Sequence, residues 1–268
     1  MNIEFWPMLV AAVLLGISCG AQSFMVVHRR MAFMGHGASH GMIAGVGLAL
    51  FLHWPVFPVA LLTALIFSIA VGLLPKRDDI SSDSAIGILL AAAVAFGLLL
   101  SGVHDQMHSH DDCGGGHLEE FLVGSLDQVF LGDVYFLAAL ALVVVLALVF
   151  YWEELLLFLF DPEGARIAGL PVKLLHLGSL SVLAVTIALA MKIAGVLLVG
   201  ALLVIPGATA GLMSQRASTV VTMSVLMGAF TSLVGAVIAV NYGLSPGPII
   251  VLLLFALFLV ARVFAKSQ

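Results

Sequence analysis

Nine stretches of about twenty predominantly apolar residues follow one another along this chain, near 8–27, 33–52, 55–74, 84–102, 133–152, 174–191, 193–212, 218–240 and 246–264. A run of that length is what an α-helix needs to cross a hydrocarbon layer about 30 Å thick, where the backbone must satisfy its own hydrogen bonds. The expectation is an all-α polytopic membrane protein with about nine transmembrane helices, eight to ten being the range. Only 9% of the 268 residues are charged and 62% are hydrophobic, too few charges to cover a water-soluble surface. Pro55, Pro75, Pro171, Pro206 and the stretch LSPGP punctuate the runs. The tightest junction is at Lys192, where two runs meet with almost no loop and a sharp turn is required.

The segment MNIEFWPMLV lacks the basic start and cleavage site of a signal peptide and reads as the lead-in to a first membrane helix. The two cysteines, Cys19 in an apolar run and Cys113 in a polar stretch, indicate no disulfide framework. Basic residues favour the cytoplasmic ends of spans. Nine spans place Arg29, Arg30, Lys76, Arg77, Arg166, Lys173, Arg216, Arg262 and Lys266 on one side and only Lys192 on the other. An N-terminus outside and a C-terminus in the cytoplasm are therefore expected, the whole of 1–268 forming one transmembrane domain.

Two segments are too polar to span. Residues 103–132, extracytoplasmic in this orientation, carry His104, His108, His110 and His117 among aspartates, glutamates and Cys113. Imidazole, thiolate and carboxylate are the ligands of zinc-like ions, yet no spacing here matches a closed structural zinc motif. The loop is either a flexible metal lure or simply solvated. Residues 153–173, cytoplasmic, contain FDPEGARIAGLPVK: Asp161 suits an N-cap, Pro162 the first helical position, and Gly169 with Pro171 ends the helix after roughly two turns. Such a short capped helix serves as a docking element or as a plain connector.

His36 and His40, in RRMAFMGHGASHGMIAGVGLALFL, lie four apart and so share a helix face. Counting 1.5 Å per residue from Arg30 puts them about 9 and about 15 Å into the membrane. Ionisable rings at such depth usually line a pathway or hold a ligand, the alternative being a plain hydrogen bond to a neighbouring helix. The surrounding Gly35, Gly37, Ala38, Ser39, Gly41, Ala44, Gly45 and Gly47 let other helices approach closely. A zinc-protease reading fails because Gly37 stands where the H-E-x-x-H motif needs its catalytic glutamate. A Ser39/His40 dyad fails because helical neighbours point apart.

Four ordered stretches resemble the metal-ion permease subunits of ABC importers for zinc, manganese or iron. RRMAFMGHGASHGMIAGVGLAL is similar to the family helix in which Arg-Arg-Met and an aspartate precede Ser-His; SSDSAIGILLAAAVAFGLLL, through Asp83 and Gly87, resembles its Asp-Ser/Thr-x-x-Gly-Ile segment. DPEGARIAGLPVK is similar to the coupling segment, and KIAGVLLVGALLVIPGATA to a Pro-x-Ala-Thr-Ala stretch. The resemblance implies the ABC importer permease fold, a homodimer or pair of permeases around one path, a cytoplasmic ATPase docking at Asp161, Pro162, Glu163, Arg166 and Gly169, and an extracytoplasmic solute-binding protein. Membrane lipid is the remaining partner; no nucleic acid is expected. Consistent with a separate ATPase, no lysine follows glycine as a phosphate loop requires. The family aspartate is His36 here, and a frequent family proline is Ala44. The gating role carries over to His40, a paired Asp and His site does not, and imidazole in place of a carboxylate tilts the transported ion toward zinc, with manganese or iron as the alternative. A stand-alone secondary metal transporter is the less favoured reading.

Overall fold

The computed structural model describes residues 6–74, 82–107 and 129–265. The described residues form ten helices and no strands: α1 (Trp6–His28), α2 (Met34–Leu52), α3 (Val56–Leu73), α4 (Ser82–Met107), α5 (Leu131–Phe150), α6 (Trp152–Phe160), α7 (Pro162–Ile167), α8 (Val172–Met213), α9 (Ala217–Tyr242) and α10 (Pro246–Ala265). Seven of them, α1, α3, α4, α5, α8, α9 and α10, are long and apolar enough to cross a membrane. Two expected spans account for the difference from nine. Glycine, serine and histidine dilute the hydropathy of α2, and the runs at 174–191 and 193–212 form the single 42-residue α8.

That long helix is not straight. Gly195, at φ 77° and ψ 166°, is non-helical within it, a conformation glycine adopts without the Cβ penalty. Thr186 bonds the side chain of Gln22 and Gly207 bonds that of Ser23, so residues 21 apart on α8 reach adjacent residues of α1. A straight helix would hold them about 31 Å apart. The chain therefore reverses at Gly195, three residues after the junction expected at Lys192, and its two arms run back along each other.

Register along the other helices follows from glycine contacts. Gly37 meets Ile86 and Gly47 meets the backbone of Gly97, so α2 and α4 run parallel. Gly41 meets Phe67 and Gly45 meets Ala60 and Thr63, so α3 runs antiparallel to α2. Between α1 and α9, Gly16 touches Gly228 and Gly20 touches Ser224. Lipid supplies no hydrophobic drive between helices, so close backbone approach is a principal source of cohesion. Buried hydroxyls are largely satisfied inside their own helices, as Ser18 donates to Leu14 O, Ser39 to Gly35 O and Ser224 to Val220 O.

Among the described residues the lysines and arginines divide unequally between the two ends of the bundle. At one end Lys192 pairs with Asp133 at 2.7 Å and lies 5.2 Å from the centre of the Phe57 ring, joining the reversal of α8 to the starts of α5 and α3. Arg29, Arg30, Arg166, Lys173, Arg216 and Arg262 sit at the opposite end. All three tryptophans and all three tyrosines of the chain, Trp6, Trp54, Trp152, Tyr135, Tyr151 and Tyr242, stand within a few residues of helix ends, the position of an interfacial aromatic belt.

The glycine contacts make a sharp prediction. A β-carbon at Gly20 would lie 2.7 Å from Ser224 O, whereas one at Gly178 meets nothing within 4 Å. Gly20→Ala should lower stability by about 1–3 kcal/mol and Gly178→Ala should leave it unchanged or raise it by up to about 1 kcal/mol. Thermal unfolding of the purified protein in detergent distinguishes the two.

Candidate functional site

Small residues decide what α2 can present. Its buried flanks bring Gly35 against Gly200 of α8, Gly37 and Gly41 against Phe67 of α3, and Gly47 against Gly97 of α4. Before the exposed last turn of α2, what remains uncovered is one i, i+4 stripe: His36 is exposed, and His40, Ala44 and Leu48 are half-buried. The two positions where the chain departs from the family pattern, 36 and 44, lie on this stripe beside His40.

The His36 and His40 rings stack nearly parallel, 13° apart in plane, with centroids 6.1 Å apart. Gly200 makes room for His36, since a β-carbon there would lie 3.3 Å from its Nε2. Gly37 packs on Phe67, and Gly72, five residues further along α3, is level with Arg29. This puts the start of the pair about 7.5 Å inside the Arg29 end. Two imidazoles on one face can share a metal ion, and they leave at least two positions of a tetrahedral shell for other donors. Among the described residues no group of three or more His, Cys, Asp or Glu side chains is placed to hold a metal. Asp83, one turn before Ile86 on α4, keeps a buried carboxylate oxygen with no hydrogen-bond partner among the described residues.

Of the histidines assigned to the external segment, His104 lies on α4. That helix runs through Met107, beyond the hydropathy edge at 102, because no proline or glycine cluster stops it earlier. Its ring centroid is 5.5 Å from that of His53, just past the end of α2. His108, His110 and His117 lie outside the described residues.

At the other end, the docking segment folds locally as its caps dictate. Asp161 Oδ1 accepts from Gly164 N at 2.8 Å, Pro162 opens α7, and Gly169 leaves the helix at φ 82° with its N–H on Arg166 O. The helix spans 162–167, close to the two turns expected, with Ala168 as its C-cap. Glu163 and Arg166 form an exposed pair at 3.6 Å, worth little in water. Ile167, 87% exposed, offers an apolar side chain at the tip.

Beside this segment lies a constellation that sequence reasoning missed. Arg29 donates to His176 Nδ1 at 2.7 Å and stacks 3.9 Å from the centre of the Phe158 ring. For His176 to accept there, its proton must sit on Nε2, which donates to Gly72 O at 3.3 Å. One guanidinium thus ties α1, α3, α6 and α8 together. Burial lowers its pKa to about 10, leaving it charged at neutral pH. Arg29 and His176 are 147 residues apart, so no local sequence pattern links them.

The profile described as the ABC 3 transport family matches residues 4–265. The chain is 32% identical to the manganese transport system membrane protein MntC of Halalkalibacterium halodurans, over 97% of this chain and 87% of that protein. It is 26% identical to the high-affinity zinc uptake system membrane protein ZnuB of Haemophilus influenzae, over 96% and 95% of the two chains. Its fold matches the solved structure of PsaBC from Streptococcus pneumoniae in complex with Fab at a TM-score of 0.80 and 27% identity, covering 97% of this chain and 91% of that one.

The arginine clasp is testable on its own. Arg29→Ala leaves His176 without its donor and Phe158 without its cation, and should cost about 1–3 kcal/mol in thermal unfolding. Arg29→Lys, which has no planar fork to bond and stack at once, should recover less than half of that loss.

Proposed function

The chain belongs to the ABC 3 transport family, and we propose from that premise that it is the membrane-spanning permease of an ATP-driven importer whose cargo is zinc. A metal transport permease is the reading its relatives support jointly, as membrane proteins of manganese and zinc systems. The observation that carries the finer reading is the imidazole pair on a stripe left open along a helix enclosed on its other faces before its last turn. Imidazole donors suit zinc better than manganese, which favours oxygen. Manganese is the second reading, favoured by the higher identity to the manganese protein.

In this proposal the membrane is crossed nine times, α2 and the two arms of α8 each counting as crossings, with the Lys192 end outside and the arginine-rich end in the cytoplasm. A second copy faces the His36–Leu48 stripe and closes the path. The ion rests on His40 and His36 in an incomplete ligand set, since a closed tetrahedral site would trap it. An ATPase engages α7, and the Arg29 clasp carries its motion to the α1–α2 turn immediately before the histidines. An extracytoplasmic solute-binding protein delivers the ion.

Uptake into proteoliposomes containing the chain and its ATPase tests this. His40→Ala should lower zinc uptake about tenfold or more while stability is retained. His36→Asp should shift the ratio of zinc to manganese uptake toward manganese. Unchanged uptake in His40→Ala would overturn the histidine path, and a wild-type preference for manganese would overturn zinc. Asp161→Ala, removing a cap worth about 1 kcal/mol, should weaken ATPase coupling without altering metal selectivity.

A further inference from the structure

A cavity of about 400 Å³ near the arginine-rich end belongs to neither the histidine stripe nor α7. It lies between α1, α5, α6 and the first arm of α8, with Met25, Trp152, Phe158 and Leu175 among its walls. The few polar side chains within it are engaged inside the protein: Ser179 donates to His176 O, and the Gln22 amide nitrogen donates to Ser18 O and Thr186 Oγ1. Along α8 the cavity reaches from Pro171 to Val182, about 16 Å. That is about half of a hydrocarbon core about 30 Å thick, the depth of one leaflet. Leu174 and Gly178 on α8 and Tyr151 after α5 are exposed at its edge, so it opens sideways from the bundle.

The charge beside this cavity is uncompensated. Arg29, one helical turn beyond Met25, stacks on Phe158 and bonds His176, the neighbour of Leu175. The ion pairs among the described residues join Glu163 to Arg166 and Asp133 to Lys192, so no described carboxylate pairs with Arg29. Its Nε is buried without an acceptor. A cation withdrawn from water in this way is ordinarily matched by an anion. Lys173, exposed beside Leu174, adds a second positive charge at the same edge. Trp152 and Tyr151 supply there the amphipathic rings that sit at headgroup level.

We propose that this cavity binds one membrane phospholipid with an anionic headgroup, taken from the leaflet at the arginine-rich end. One acyl chain lies along α8 from Pro171 toward Val182, and the phosphate faces Arg29 and Lys173. Length, apolar lining and sideways opening fit the chain; two basic groups without a carboxylate fit the head. A zwitterionic lipid offers the same chain, but its own cation weakens the attraction at the head. The site needs only a chain that spans a membrane, so it does not rest on the importer reading. Because Phe158 also carries Arg29, an occupant bears on the ring that the clasp uses.

Of the three tryptophans, only Trp152 lines the cavity, while Trp6 and Trp54 are more than half exposed. The test therefore reconstitutes the full-length chain carrying Trp6→Phe and Trp54→Phe into phosphatidylcholine vesicles and reads Trp152 fluorescence. The probe is phosphatidylglycerol or phosphatidylcholine brominated on its acyl chains, added in increasing fraction. Brominated phosphatidylglycerol should reach half-maximal quenching at a fraction about tenfold lower than brominated phosphatidylcholine. Gly178→Phe, which puts a ring into open space at the cavity edge, should abolish that preference, and Lys173→Gln should lower it about threefold or more. Equal quenching by the two lipids overturns the proposal, as does a preference that survives Gly178→Phe. Quenching by neither lipid overturns it as well, since the cavity would then be covered by protein, a second copy included. Unfolding temperature identifies a Gly178→Phe chain that fails to fold, and Lys173→Gln, at an exposed position, then decides.

Discussion

Helices in lipid gain nothing from hiding apolar side chains from one another, so a membrane bundle holds together where its backbones can approach. In this chain that requirement converges on α2. Gly35, Gly37, Gly41, Gly45 and Gly47 bring α8, α3 and α4 to within a side chain or less of its backbone. A helix so enclosed has one stripe left to present, and that stripe holds His36 and His40. The same glycines that cement the fold therefore select which residues of α2 remain accessible. A larger residue at Gly37 or Gly41 would meet the ring of Phe67 and push α3 away, moving the wall behind the histidines.

A second dependence runs along the arginine-rich end. The exposed helix α7 is short and self-capped, so it holds its shape without large contacts. What connects it to the spans is α6, through Phe158 beneath Arg29. Arg29 follows directly on α1 and precedes the turn into α2, where Arg30 adopts φ 54°. A displacement of α6 would thus act on a charged group at the turn between α1 and α2. Its contacts with His176 and Phe158 tie the turn between α1 and α2 to α8 and α6.

The helix α8 shows how a single glycine changes topology. Its sequence runs 42 residues without a polar loop, and only the positive φ of Gly195 lets the second arm return beside the first. The returning arm carries Gly200 to His36 and Gly207 to Ser23, so the reversal supplies one wall of the site. At the turn, the pairing of Lys192 with Asp133 neutralises the basic residue nearest the reversal.

Much of this was legible in the residues themselves. Eight of the ten described helices coincide with apolar runs, to within a few residues for most and with α8 covering two runs, because a run of twenty apolar residues has little alternative to a helix in lipid. The caps at Asp161 and Gly169 were legible because capping is local chemistry, and the i, i+4 spacing alone put His36 and His40 on one face. Other features depended on residues far apart in sequence: the meeting of His104 with His53, and the Arg29–His176–Phe158 clasp. The sequence by itself determined the helices, their caps and the face shared by two histidines, since each follows from neighbours within a turn or two. Only the tertiary structure decided which stripe of α2 stays open and which distant rings meet, because those depend on where glycines allow whole helices to touch.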